Sequence, residues 1–231
     1  MNLRQRDVAL RELMDAPDAD PLRLRRTLER FGIVNAAVSA WGTVYRRHLR
    51  PVLEARSGPA RILDIGCGGG DVLRTLIARA RRDGFDVSGL GIDPEPTAIE
   101  VARAHPSVAE VTFERTHSSE LVARGEHFDV VVSNHLLHHL SNEELQLLLR
   151  DSAALTRGVA LHADIERGPI AYAGFSLGSL PLAAGTFIRV DGLRSIRRSY
   201  TAGELHATLP AGWTTHRPAP FRLLAKYGHG H

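Results

Sequence analysis

Between residues 61 and 163 the chain alternates short apolar, β-branched runs with segments of helical period. Residues 61–65, 87–92, 109–113, 127–133 and 157–163 read as strands. Several are apolar at successive positions rather than every second one, the pattern of strands buried on both faces. Residues 71–82, 96–104 and 142–155 carry the helical spacing. Strand and helix in turn require crossover connections, and so a parallel, doubly wound sheet of the α/β class. Ahead of the first strand, residues 3–14 and 21–31 are predicted as short helices separated by the breaker run DAPDADP, with Asp20 capping a helix that begins at Pro21. A longer helix over 33–56 is expected to kink or divide at Pro51. Beyond the fifth strand, helical segments are expected near 169–184 and 201–208, the second opened by a Thr201/Glu204 capping box. An antiparallel pair over 212–217 and 221–227 closes the chain. The expected division is an N-terminal helical lid over 1–56 and a core over 57–231, with an insertion at about 166–200.

The run RILDIGCGGG, residues 61–70, is a buried strand breaking into a tight turn that opens a helix. Gly66, Gly68 and Gly69 carry no Cβ, so the backbone can take positive φ and a ligand can lie against it. Asp93, in GLGIDPEP, sits at the carboxyl end of the next strand, where an acid can accept both ribose hydroxyls. A dinucleotide fingerprint wants glycine at position 71, and this chain has Asp71 there, with Asp64 aimed at the same loop. Two carboxylates repel a pyrophosphate and suit a cationic group, so the ligand expected is an adenosine with a positive charge and no phosphate.

Those residues, with FDVVVSNHLLHHL in its place, resemble the class I S-adenosylmethionine-dependent methyltransferases, in particular the bacterial small-molecule branch that acts on quinones and natural products. The likeness spans residues 55 to 165 well and the rest loosely. It implies a Rossmann-like, seven-stranded sheet, mostly parallel, ending in an antiparallel hairpin. It implies S-adenosyl-L-methionine as cofactor, held by Asp64, Gly66, Cys67, Gly68, Asp93, Pro94 and Asn134. Family members carry an acid after the third strand for the adenine amine. Here Thr116 and His117 occupy that neighbourhood and are the candidates in its stead.

His135, His138 and His139 follow the fourth strand at the edge of the crevice. Methyl transfer to a hydroxyl needs a proton removed, and imidazole titrates near neutral pH. His139 is read as the base, with His138 the other candidate and Asp164, at the end of the fifth strand, as the orienting acid. Packing at a helix start and a cap role for Asp164 are the plainer readings. No metal is expected, since no carboxylate accompanies the histidines in sequence. Trp41 and Tyr45, four apart, are read as a roof for the acceptor, with simple packing the alternative. By resemblance, the 166–200 segment shapes the substrate pocket and Arg197 and Tyr200 contact the acceptor.

Composition narrows the rest. At 231 residues, 43% apolar and 24% charged, the chain is an ordinary globular one. The sequence pI is near 9.5, yet the net charge is only +3, aromatic residues make up 6%, and the arginines are scattered, so nucleic acid is not expected as a partner. A single cysteine, no membrane-length apolar stretch and no secretory leader point to a cytoplasmic protein, monomeric or homodimeric, with a small-molecule substrate. The reading is therefore O-methylation of a small hydroxyl compound, phenolic or polyketide-derived. Carbon methylation of a quinone-like substrate and a non-catalytic binding protein stay open beside it.

Overall fold

A computed structural model describes residues 3–16, 18–38, 40–105 and 110–228. Seven strands form one sheet: β1 Ala60–Ile65, β2 Val87–Ile92, β3 Val111–Glu114, β4 Phe128–Asn134, β5 Thr156–Ile165, β6 Trp213–His216 and β7 Arg222–Gly228. Their order is β3-β2-β1-β4-β5-β7-β6, with β7 antiparallel to both neighbours and every other pairing parallel. The reversal between β1 and β4 opens a crevice at the carboxyl ends of the strands, where such sheets take their ligands.

Helices cover both faces. They are α1 Pro21–Val38, α2 Trp41–Val44, α3 Arg50–Glu54, α4 Asp71–Arg82, α5 Pro96–Ala104, α6 Ser118–Ala123, α7 Asn142–Leu155, α8 Pro169–Gly178, α9 Ile188–Arg198 and α10 Ala202–Thr208. On one face Leu73, Leu76 and Ile77 of α4 pack with Trp41, Tyr45 and Leu49 against Ile62, Val130 and Leu161. On the other, Leu145, Leu148 and Leu149 of α7 and Leu205 of α10 pack against Leu63, Val131 and Ala160. Consecutive strand residues thus enter opposite cores, which is why β1, β4 and β5 read as unbroken apolar runs.

The N-terminal expectations need correction. Residues 3–14 form no helix, and the segment runs as turns and extended chain. Polar groups elsewhere satisfy its backbone: the Asp191 carboxylate accepts from Leu13 N and Met14 N at 2.8 and 2.9 Å, and Arg167 donates to Leu3 O at 3.0 Å. Asp20 does cap α1, accepting from Leu22 N and Arg23 N at 2.9 Å each. The long helix over 33–56 is broken instead at Ala40, whose φ is 58°, and a wide π turn over Tyr45–Leu49 precedes Pro51. Proline has no N–H for the carbonyl four residues back and its ring crowds that carbonyl, which favours a widened turn there. Helices α6 and α9 were not anticipated.

Candidate active site

The glycine loop follows β1. Gly66, Gly68 and Gly70 take φ of 68°, 52° and 76°; Gly69, which the sequence reading named in place of Gly70, does not. A Cβ at Gly66 would meet the Leu136 side chain at 3.1 Å, so the loop and the histidine segment are in close approach. Asp64 is buried and its Oδ1 has no hydrogen-bond partner. Burial, then the nearby Asp71 and Asp93 carboxylates, push its pKa well above the usual range. Asp93 accepts from Gly68 N at 3.0 Å and from Glu95 N at 2.9 Å, and burial raises it as well. An orphaned buried carboxylate oxygen among like charges is costly unless a cation arrives. It faces a cavity of about 730 Å³.

The same cavity is lined on its far side by Asn134, His135, Leu136, His138 and His139. β4 ends at Asn134 and His135 turns with φ 58°, its N–H donating to Ala163 O at 2.9 Å. Arg222 donates to His135 Nε2, and burial together with that guanidinium holds the imidazole neutral, its pKa well below ordinary. Leu137–His139 is one 3₁₀ turn, and Arg198 clamps it by donating to the carbonyls of His138 and His139 at 3.1 and 2.9 Å.

His138 is the deeply held one. Its backbone N–H donates to Asp164 Oδ2 at 2.8 Å and its Nδ1 to Asp164 Oδ1 at 2.7 Å. Its Nε2 lies 3.3 Å from Glu12 Oε1, an ion-pair distance without hydrogen-bond alignment. Burial alone would lower its pKa, but Asp164 and Glu12 outweigh burial and raise it to about 9. Burial would in turn raise Asp164, but the His138 charge holds that carboxyl well below the usual range. His139 is half-buried, with Nδ1 2.9 Å from Asp15 and Nε2 3.6 Å from Glu12. Asp164 therefore orients His138 and not His139. Adjacent residues on a three-residue turn point about 120° apart, so only one of the two rings can face β5.

Glu12 is the residue the sequence reading missed. It comes from the extended N-terminal segment, accepts from Ser195 Oγ at 2.8 Å, and is 3% exposed. The ligand atoms of Glu12, His138 and His139 lie within 4.8 Å of one another, so the fold supplies the histidines with the carboxylate that their own stretch of sequence lacks. No pattern around Glu12 marks it, because its partners are contributed by segments far along the chain.

The remaining candidates separate into two groups. Cys67, Pro94 and Asn134 line the cavity with the loop residues. Burial and Asp64 push the Cys67 thiol far up, which suits a filler rather than a nucleophile. Thr116 is buried outside the cavity wall, and His117 caps α6, its N–H donating to Glu120 at 3.2 Å. Trp41 and Tyr45 are not a roof: both sit in the core, and the Tyr45 hydroxyl donates to Asp83 Oδ2 at 2.8 Å. Arg197 pairs with Asp7 at 2.5 Å, and Tyr200 lies buried under the Arg6 guanidinium, 3.6 Å from its ring centre. Of the 166–200 segment only Ser195 reaches the cavity wall.

Residues 62–158 match a family described as a methyltransferase domain. The ubiquinone biosynthesis O-methyltransferase of Methylobacterium sp. (strain 4-46) is 37% identical over 168 residues, 70% of this chain and 64% of that one. The protein of the same name from Cereibacter sphaeroides is 33% identical over 121 residues, 52% and 47% of the two chains. The chain thus spans between about half and two thirds of these relatives' length. Among solved structures, the plantazolicin methyltransferase BpumL in complex with a pentazolic desmethylPZN analog and SAH superposes with a TM-score of 0.60 at 15% identity, covering 89% of this chain and 95% of that one. Human N-acetylserotonin methyltransferase in complex with SAM gives 0.59 at 14%, over 90% and 56%. Sheet order, crevice and domain match agree: residues 62–158 carry a methyltransferase domain, built on the sheet shared with these solved methyltransferases.

Proposed function

We propose that the protein binds S-adenosylmethionine in this cavity and that its methyl group passes to a hydroxyl of a phenolic or polyketide-derived small molecule, with His138 taking the proton. One observation carries the reading: a buried imidazole held by a carboxylate, and an orphaned carboxylate at a glycine loop, line the same cavity. When bound, the cofactor supplies a methyl group on positively charged sulfur, open to in-line attack. Asp64 meets the cationic amino-acid end, Gly66 and Gly68 let the backbone approach, and Asp93 accepts from the ribose.

The protein's part in the chemistry is positioning and one proton. Asp164 fixes the His138 tautomer with the proton on Nδ1, which leaves Nε2 as the face that meets the acceptor. Glu12 lies 3.3 Å from that nitrogen and favours the charged imidazole that forms when the proton arrives. Arg198 holds the turn that carries the ring. The N-terminal segment contributes Glu12, Met14 and Asp15 to the wall, which supports a lid role for it. The name shared by the Methylobacterium and Cereibacter relatives supports oxygen as the methylated atom.

Calorimetric titration with S-adenosylmethionine and S-adenosylhomocysteine tests the cofactor, with Asp93→Ala as control. Binding by the wild type that the variant loses is the expected result, and no binding by either sinks the reading. Incubation with catechol and resorcinol acceptors, followed by mass and NMR analysis, then distinguishes oxygen from carbon methylation. Turnover should survive a chelator. Loss that added zinc or magnesium restores would move the role of His138 from base to metal ligand.

A further inference from the structure

Residues 168–188, GPIAYAGFSLGSLPLAAGTFI, contain no charged side chain, and α8 with the turn after it occupies most of them. Expected to shape the acceptor pocket, this stretch contributes nothing to the cavity wall. α8 turns Ala171 and Phe175 inward, the latter against Gly192 of α9, so the opposite stripe has no partner among the described residues. Ile170 and Leu177 are each 71% exposed and Leu180 is 55% exposed; Ala173, Gly174, Gly178 and Pro181 lie open between them. A contiguous exposed apolar face of this kind marks a surface that something covers.

The charge around it identifies what. Arg26 lies against Gly185, Arg30 donates to Ala184 O at 3.3 Å, and Arg189 donates to Ser176 Oγ at 3.2 Å. None of the three is paired with a carboxylate among the described residues. α1 carries four arginines against the single acid Glu29. A second copy seated on the same face would set arginine against arginine. An anionic bilayer accepts both features, aliphatic side chains at the headgroup boundary and guanidinium groups at the phosphates. We propose that the α8 face docks the protein on an anionic lipid surface. No described helix is long and apolar enough to span it, so the contact is peripheral.

Co-sedimentation of the full chain with vesicles tests this, comparing phosphatidylcholine alone with a 3:1 mixture of phosphatidylcholine and phosphatidylglycerol. The expected result is binding to the mixed vesicles only, weakened on the order of tenfold by raised salt. The double variant I170D/L177D should lose it while keeping the wild-type melting temperature and cofactor binding, because both positions are exposed and outside the cavity. R26E/R30E should remove the salt-sensitive part. Failure of the wild type to bind mixed vesicles, equal binding to neutral ones, or unchanged binding by I170D/L177D overturns the proposal. So does self-association in ultracentrifugation that I170D/L177D abolishes without lipid present. Cofactor titration is unaffected by any of these outcomes, so this docking and the methyl-transfer reading stand or fall separately.

Discussion

The two walls of the cavity are built in opposite ways. The cofactor wall comes from one continuous unit, β1–α4–β2, in which Asp64, the glycine loop and Asp93 fall within 30 residues. The proposed acid–base wall is assembled from four places: Glu12 from the N-terminal segment, His138 after β4, Asp164 at the end of β5, and Arg198 at the end of α9. A local unit carries its chemistry in its spacing. An assembled one carries it only after folding, when the sheet brings β4 beside β5 and pairs Asn134 with Ala163.

If the walls are independent in function, substitutions should separate them. The largest effect belongs to His138→Gln, which removes the proposed proton acceptor and should lower turnover by about 10³-fold. Cofactor affinity, measured by calorimetry, should change by less than about threefold. The same variant carries a stability signature. The folded pKa of His138, about 9, lies above its unfolded value near 6.5. The stabilisation is therefore complete below about pH 6.5 and is lost as pH rises through about 9. Denaturant melts of the wild type should weaken between pH 7 and 10, by up to roughly 3 kcal/mol, and His138→Gln should flatten that slope. Asp93→Ala should do the reverse: cofactor binding falls by about 100-fold as two ribose hydrogen bonds and the anchor of Gly68 are lost. A variant in which both readouts fell together would erase the distinction between the walls.

The same contrast explains what was legible in the sequence. Strand and helix order, the boundaries of α4, α5 and α7, and the crevice followed from periodicity and glycine, because each depends on neighbours within about ten residues. Most of the expectations that needed correction involve distant partners. Residues 3–14 have helical spacing, but Asp191 and Arg167 take their backbone groups in an extended path. Trp41 and Tyr45 look the same in sequence whether they roof a pocket or fill a core, and α4 draws them into the core. Arg197 and Tyr200 were expected at the acceptor and are taken up by Asp7 and Arg6. His138 and His139 cannot be ranked until the 3₁₀ turn assigns one ring to Asp164.

Glu12→Gln sharpens the picture of the assembled wall. Removing that carboxylate lowers the His138 pKa, and a base acts in its neutral form, so the acidic limb of the kcat/KM profile should move to lower pH. The wild type should still be climbing at pH 8.5, near the value of about 9, while the variant has reached its plateau. Identical limbs would mean that Glu12 does not act on His138 and serves only to anchor the N-terminal segment.

The smallest effect tests the residues that left the site. Tyr45→Phe deletes one hydrogen bond, from the buried hydroxyl to Asp83 at 2.8 Å, and leaves the ring packed against α4. It should cost about 1 kcal/mol in denaturant melts, since one neutral donor to a charged acceptor is lost and Asp83 keeps access to water and to Arg50. The KM for any acceptor should be unchanged. A shift of more than about threefold in KM with stability intact would return Tyr45 to the acceptor. It would then follow that the core packing of the 41–49 segment opens during turnover, making a third wall that neither the local nor the assembled one accounts for.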